Sequence, residues 1–394
     1  MNENKGKEAI SNSVNNNQLQ NSKPTKDNKG MKKKLMRMML IVVGILVAVL
    51  IIILIFSLFG SSNKNYEEIE QDLKKAAMEY YKVQSGLLPQ EEGEIVTVKA
   101  STLADAELIK PLSELREGEN CSGRVEVTKV GDNIIYTPYL ECRAKYTTKE
   151  LYQAVLEQKT VTTGDGLYDL NGEKVYRGDA VNNYVSLDNA IYRIVKVTTD
   201  NKLLLILNEV DSTMSSYYDN RYNNAKKFNS GFNNYRISRI NDYLDNLYNG
   251  KKDIKILSKN DKEKLVSFNL CIGKRMENET NNTNAIECSD VLEKQMIGLL
   301  TVSDYMNASL DTNCKATTDR SCQNYNYLRL KGTEWWLLTG NAANDYEAYV
   351  VKSNGYIDIN TTSGYKKIRP TIMINNNVMI KSGNGSASNP FILK

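Results

Sequence analysis

The chain has 394 residues, with 51 basic and 47 acidic side chains, six cysteines and no histidine. The missing imidazole excludes a Ser-His-Asp triad, a Cys-His pair and an HExxH zinc site, and neither a GxGxxG fingerprint nor a P-loop occurs. Residues 1–59 hold nine basic and three acidic side chains, leaving 42 basic and 44 acidic beyond them, a balance with no basic footprint for nucleic acid.

Residues 1–37 read as a basic cytoplasmic tail. Its first thirty residues are polar and rich in Asn and Lys, a composition expected to stay disordered, and Met31, which opens "MKKKLMRMML", is an alternative start. From Met38 to Phe59 runs "MMLIVVGILVAVLIIILIFSLF", uncharged and interrupted only by Gly44 and Ser57, long enough to span a bilayer as a helix. A cleaved signal peptide has a shorter apolar core and a small-residue cleavage site, for which "SLFGSSN" is a poor match. Lys32, Lys33, Lys34 and Arg37 precede the segment, and Glu67, Glu68, Glu70 and Asp72 follow it. The basic flank stays inside, so a single-pass signal anchor in the cell membrane is predicted, N-terminus cytoplasmic and C-terminus extracellular.

The exported part has room for two domains, predicted at 64–146 and 167–394 with a polar linker at 147–166, both α+β. All six cysteines lie in it. An even number in an oxidising space reads as disulfides, and chain order suggests three local bridges.

In the membrane-proximal domain, Ile69, Leu73, Ala76, Tyr80 and Val83 recur at steps of three and four, an apolar stripe on a helix over 65–84. A short second helix is expected to start at Thr102, with Asp105 completing a variant capping box, and to stop before Pro111. In "CSGRVEVTKVGDNIIYTPYLEC" a two-residue turn at Gly131 and Asp132 sets Val127 opposite Tyr136, Lys129 opposite Ile134 and Cys121 opposite Cys142. The phrases "TLADAELIKPL", "CSGRVEV" and "YTPYLEC" resemble the globular head of a type IV pilin-like protein over residues 64–146. Pilins are cut before the apolar segment and keep a Glu just inside it. Neither feature is present, so a fixed membrane protein is expected rather than a fibre subunit.

Beyond the linker, "LYDLNGEKVYRG" is a hairpin around Asn171 and Gly172, and "IYRIVKVTTDNKLLLILNE" gives two strands around Asp200 and Asn201. A helix carries Ile237, Ile240, Leu244 and Leu247 on one face and closes at Gly250. Ser258 with Asp261 and Thr301 with Asp304 cap two more. Late strands are "EWWLLT", "AYVVKS" and "GYIDI" joined at Asn354 and Gly355, and "IRPTIMI". With "SRINDYLDNLY", "LSKNDKEKLV", "IGLLTVSDYMNA" and "SGNGSASNPFIL", these phrases resemble a family of bacterial surface domains of unassigned function. That family is in turn distantly similar to formylglycine-generating enzymes and the C-type-lectin-like fold.

Four groups of residues are candidate sites. Cys314 and Cys322 are a staple, a metal pair or a redox pair; Lys315 and Arg320 beside them would lower a thiol pKa. Formylglycine-generating enzymes use a tighter C-x4-C pair, so their catalytic positions do not carry over, and a structural staple is the favoured reading. Cys271 and Cys288 enclose a polar loop and read as structural too. Trp335 and Trp336 on one strand must point to opposite faces, one filling the core and the other at least partly outside, as a platform for a sugar or peptide or as a contact with the neighbouring domain or a covering loop. Asp304, Asp311, Asp319 and Asp345 are the oxygen ligands a calcium ion would draw on, although their spacing matches no regular calcium loop.

No catalytic constellation is found, and the expected function is a cell-surface binding or adhesion module with a lectin-like head for a glycan or peptide. An extracellular enzyme using carboxylate, Lys or thiol chemistry, and a structural part of an envelope or pilus-like assembly, are the alternatives.

Overall fold

The computed structural model describes Met36 and residues 63–92, 94–130, 133–188, 190–210, 212–224, 231–251 and 256–394. The predicted span from Met38 to Phe59 and the turn residues Gly131 and Asp132 lie outside the described residues. Among the described residues, no helix is long and apolar enough to cross a membrane. The fold is mixed α+β, mostly strands with few helices.

The chain divides into two compact units. The smaller includes Lys64 and Glu114–Glu117, where Arg116 Nη1 donates to the Lys64 carbonyl at 3.0 Å. The larger comprises Asn65–Ser113 and Gly118–Lys394.

The larger unit starts with helix α1 (Tyr66–Val83), opened by a capping box in which Asn65 Oδ1 accepts from Glu68 N and Glu68 answers to Asn65 N. Its buried stripe is Ile69, Leu73, Ala76, Ala77 and Tyr81, while Val83, at the open last turn, is exposed. Strand β1 (Ile95–Lys99) runs straight into helix α2 (Ala100–Asp105). The expected capping box at Thr102 and Asp105 is therefore not formed: the helix begins two residues earlier, and Asp105 is its last residue. Strands β2 (Ser122–Val130) and β3 (Asn133–Glu141) complete an antiparallel sheet in the order β1-β2-β3. The register is the expected one, with Val127 opposite Tyr136 and Lys129 opposite Ile134. Cys121 and Cys142 are bonded at its open end, their Cα atoms 4.1 Å apart. Leu73 of α1 packs over Gly123, where a Cβ would come within 3.1 Å of Leu73 Cδ1.

Residues 147–166 are not a free connection. Leu151 N donates to the Val378 carbonyl and Ile380 N to that of Lys149, while helix α3 (Leu151–Leu156) buries Leu151 and Val155 in the large core. Strands β4 (Gly166–Leu170) and β5 (Glu173–Arg177) form the hairpin foreseen at Asn171 and Gly172, whose φ values of 54° and 86° suit a primed turn. Then follow β6 (Tyr184–Leu187), β7 (Ala190–Val197), β8 (Leu203–Leu207) and β9 (Ser215–Tyr217). Helix α4 (Arg239–Tyr248) buries Ile240, Leu244 and Leu247, whereas Ile237 precedes it and is exposed. Helices α5 (Lys259–Lys262) and α6 (Val302–Asn307) carry the expected capping boxes, and between them lies the ribbon of β10 (Phe268–Cys271) and β11 (Val291–Gln295).

The last strands are β12 (Trp335–Gly340), β13 (Glu347–Val351), β14 (Ile357–Thr361), β15 (Tyr365–Lys367), β16 (Thr371–Ile374), β17 (Ile380–Ser382) and β18 (Phe391–Leu393). One sheet runs β16-β8-β7-β6-β18-β17, with β5 also on β7 and β4 on β5; another runs β14-β13-β12-β15-β9. Every residue of β8, β12 and β16 is buried, as expected of strands covered on both faces. This core begins at Leu151 and contains no residue of α1. A polar seam joins it to the α1 layer: Glu70, 2% exposed, accepts from Thr148, Tyr146 and Lys394, and Lys381 pairs with Glu67 at 3.1 Å.

Candidate functional site

Both tryptophans are fully buried, which overturns the expectation that one is partly outside. Trp335 packs edge-on to Tyr305 with the Arg369 guanidinium over its ring, and Trp336 meets Tyr218 and donates from Nε1 to the Ser216 carbonyl at 3.1 Å. The strand does send them to opposite faces, but both faces of β12 are covered. Neither ring is available as a binding platform.

The four aspartates are not brought together. Asp311 accepts from Asn313 N and Asn324, and Asp319 from the backbone of Lys315 and Ala316. Asp345 gives its carbonyl to Asn233 N, while Asp304 belongs to the α6 capping box. Among the described residues, the one cluster with metal-ligand spacing is Glu119, Cys121 and Cys142, and its two sulfurs are spent in a disulfide. Cys271–Cys288 and Cys314–Cys322 are bonded as well, so none of the six thiols is free.

A cavity of about 620 Å³ opens instead between the β4–β5 turn, the β7–β8 turn, β10, the disulfide loop and the start of α6. Local structure places three charged side chains there. A β-bulge between Ile194 and Lys196 interrupts the pairing of β7 with β8 at the point where Lys196 reaches the cavity. Val175 of β5 is directly opposite Lys196, which makes Glu173 its diagonal neighbour. Lys196 Nζ lies 2.9 Å from Glu173 and 3.4 Å from Asp304. Asp304 also accepts from Asn284 Nδ2 at 3.2 Å and from the Thr301 hydroxyl at 2.8 Å.

The ionisation of this cluster follows from its contacts. Burial works to lower the Lys196 pKa, but Asp304 and Glu173 outweigh it and hold the amine above its ordinary value. Burial likewise works to raise Asp304, and the Lys196 charge with the Thr301 and Asn284 hydrogen bonds keeps it below the usual carboxylate range. Both groups are therefore charged near neutral pH.

The wall facing the solvent is the loop closed by Cys271 and Cys288, both of which line the cavity. Its organiser is Arg275, fully buried, which donates to the carbonyls of Glu279 and Asn281, to Asn282 Oδ1 and to Ser303 Oγ. This sets Asn282, Thr283 and Asn284 along the cavity, Asn284 in the left-handed region at φ 64° that Asn tolerates. Leu170, Val175, Leu204, Phe268 and Leu299 supply apolar lining.

Of this site the sequence points to Thr301 and Asp304 as a helix cap, to Asp304 also as a calcium ligand, to Asn171 and Asp200 as turn residues and to the Cys271–Cys288 wall. Glu173, Lys196, Asn284 and Arg275 were missed. The available signal was Lys196 itself, a charge between Val195 and Val197 in an apolar strand. No protein-family model, curated protein or solved structure matches this chain.

Proposed function

We propose that the protein is a single-pass membrane protein that presents a pilin-like layer and a lectin-like head on the extracellular face and binds a ligand there without transforming it. The observation that carries the reading is the cavity around Lys196. Its size is that of a small-molecule site, and it combines apolar walls with a few convergent polar groups. Lys196 held protonated is a poor nucleophile, and Asp304 held ionised below the usual range is a weak base; neither is tuned for proton transfer near neutrality. The three disulfides suit an oxidising exterior, in keeping with the uncharged stretch from Met38 to Phe59.

Two measurements test this. Protease added to intact cells is expected to remove the chain beyond the anchor and to leave about forty N-terminal residues protected. Protection of the C-terminus instead refutes the orientation. On a glycan and peptide array, ligand capture by the full chain is expected to disappear in Ser267→Trp, which places an indole at the lip of the cavity while leaving the buried core untouched. Capture that survives this change moves the site elsewhere.

A further inference from the structure

We infer that the ligand of this cavity is an uncharged saccharide, and that the lining discriminates against anionic sugars. The inference rests on the binding reading above and adds the ligand's chemistry. Three carboxylates, Glu173, Asp200 and Asp304, line the cavity against two ammonium groups, Lys196 and Lys202. Each ammonium is already engaged: Lys196 lies between Glu173 and Asp304, and Lys202 pairs with Asp200 at 2.8 Å. An entering carboxylate or sulfate meets no unpaired cation and is repelled by the excess negative charge in a partly desolvated site.

The polar groups left open are neutral. Among the described residues, no side-chain hydrogen bond engages Asn171, Thr199 or Ser267, and all three line the cavity. Amides and hydroxyls both donate and accept, which matches sugar hydroxyls that do the same. Lys196 has a third N–H beyond the two that its carboxylate neighbours take, and it can donate this to a hydroxyl or ring oxygen. Half-buried Phe268, with Leu170 and Val175, gives the apolar surface that the C–H face of a pyranose needs.

The test uses the full chain in zwitterionic nanodiscs, titrated by calorimetry with maltotriose, the N-acetylglucosamine trimer, trigalacturonate and an uncharged hexapeptide. At least one neutral trisaccharide is expected to bind about ten-fold or more tightly than trigalacturonate. In Glu173→Gln, which removes one negative charge, that preference is expected to shrink by about five-fold. Trigalacturonate binding as tightly as the neutral sugars, or a preference unchanged in the variant, overturns the charge argument. Binding of the peptide alone, or of none of the sugars, overturns the saccharide assignment. Ser267→Trp separates the two levels: sugar binding that persists in it places the ligand outside the cavity and removes the binding reading itself, whereas peptide binding lost in it leaves that reading standing.

Discussion

Lys196 Nζ and Asp304 Oδ1 are 3.4 Å apart, although one belongs to β7 and the other to the first turn of α6. A bulge brings in the first and a capping box fixes the second, so two local devices assemble one long-range ion pair. Their side chains are only 13% and 9% exposed, and removing one partner strands the other in the interior. Lys196→Met is therefore expected to cost about 3 kcal/mol in urea unfolding, and Lys196→Met with Asp304→Asn together to cost less than the single change.

The same pair fixes a pH dependence. Asp304 titrates below its unfolded value, so its contribution is present above about pH 4 and is lost as pH falls further, through the folded pKa. Lys196 titrates above its unfolded value, so its contribution is complete below about pH 10 and is lost as pH rises through the folded pKa. Urea midpoints measured across this range should fall off at both ends in the wild type. The double variant should lose much of the dependence at both.

Trp335 and Trp336 test the buried strand. Trp336 Nε1 donates to the Ser216 carbonyl, while among the described residues Trp335 Nε1 finds no partner. Both Phe variants lose ring volume, but only Trp336→Phe strands a hydrogen-bond partner, so it is expected to be the more destabilising by about 1 kcal/mol or more. Equal melting points for the two variants would remove that hydrogen bond from the account.

How far the sequence made this legible depended on the reach of each interaction. The β2–β3 register, the Asn171–Gly172 turn and the capping boxes at Ser258 and Thr301 are set by residues within a few positions of one another, and all were readable. The face of a strand is also local, and Trp335 and Trp336 do point apart. Whether a face is covered is decided by elements far along the chain, and there the expectation of an exposed tryptophan failed. The same reason hid the cavity. Glu173, Lys196, Asn284 and Asp304 come from four separate elements, and no spacing in the sequence encodes their meeting.

Glu70 and Lys394 offer a test of the polar seam. Glu70 is nearly inaccessible and Lys394 is 15% exposed at its side chain, with Tyr146 bridging between them at 2.7 Å to Glu70 and 2.6 Å to Lys394. Lys394→Met leaves a buried carboxylate with hydroxyl donors alone and should cost about 3 kcal/mol. Hydrogen exchange should then rise around Thr148–Leu151 and Val378–Ile380, where backbone bonds cross the same seam, before it rises in β8. Uniform acceleration across both cores would mean that the seam is not a separate cooperative boundary.

The hairpin staple gives the last prediction. Cys121 and Cys142 close the open end of β2 and β3, 21 positions apart in the chain, and Cys142 is buried. Replacing both with Ser frees that loop in the unfolded chain and should cost about 3 kcal/mol. The loss should be confined to one layer. The β1-β2-β3 sheet and α1 bury side chains of their own, Ile69, Leu73, Val125 and Val127 among them, while the core that begins at Leu151 keeps the Cys271–Cys288 and Cys314–Cys322 bridges. Amide protection should therefore fall along β2 and β3 and hold in β7, β8 and β12. Digestion of the oxidised wild type followed by mass spectrometry checks the premise directly, because a Cys121 peptide linked to any cysteine other than Cys142 would break both the register and the prediction.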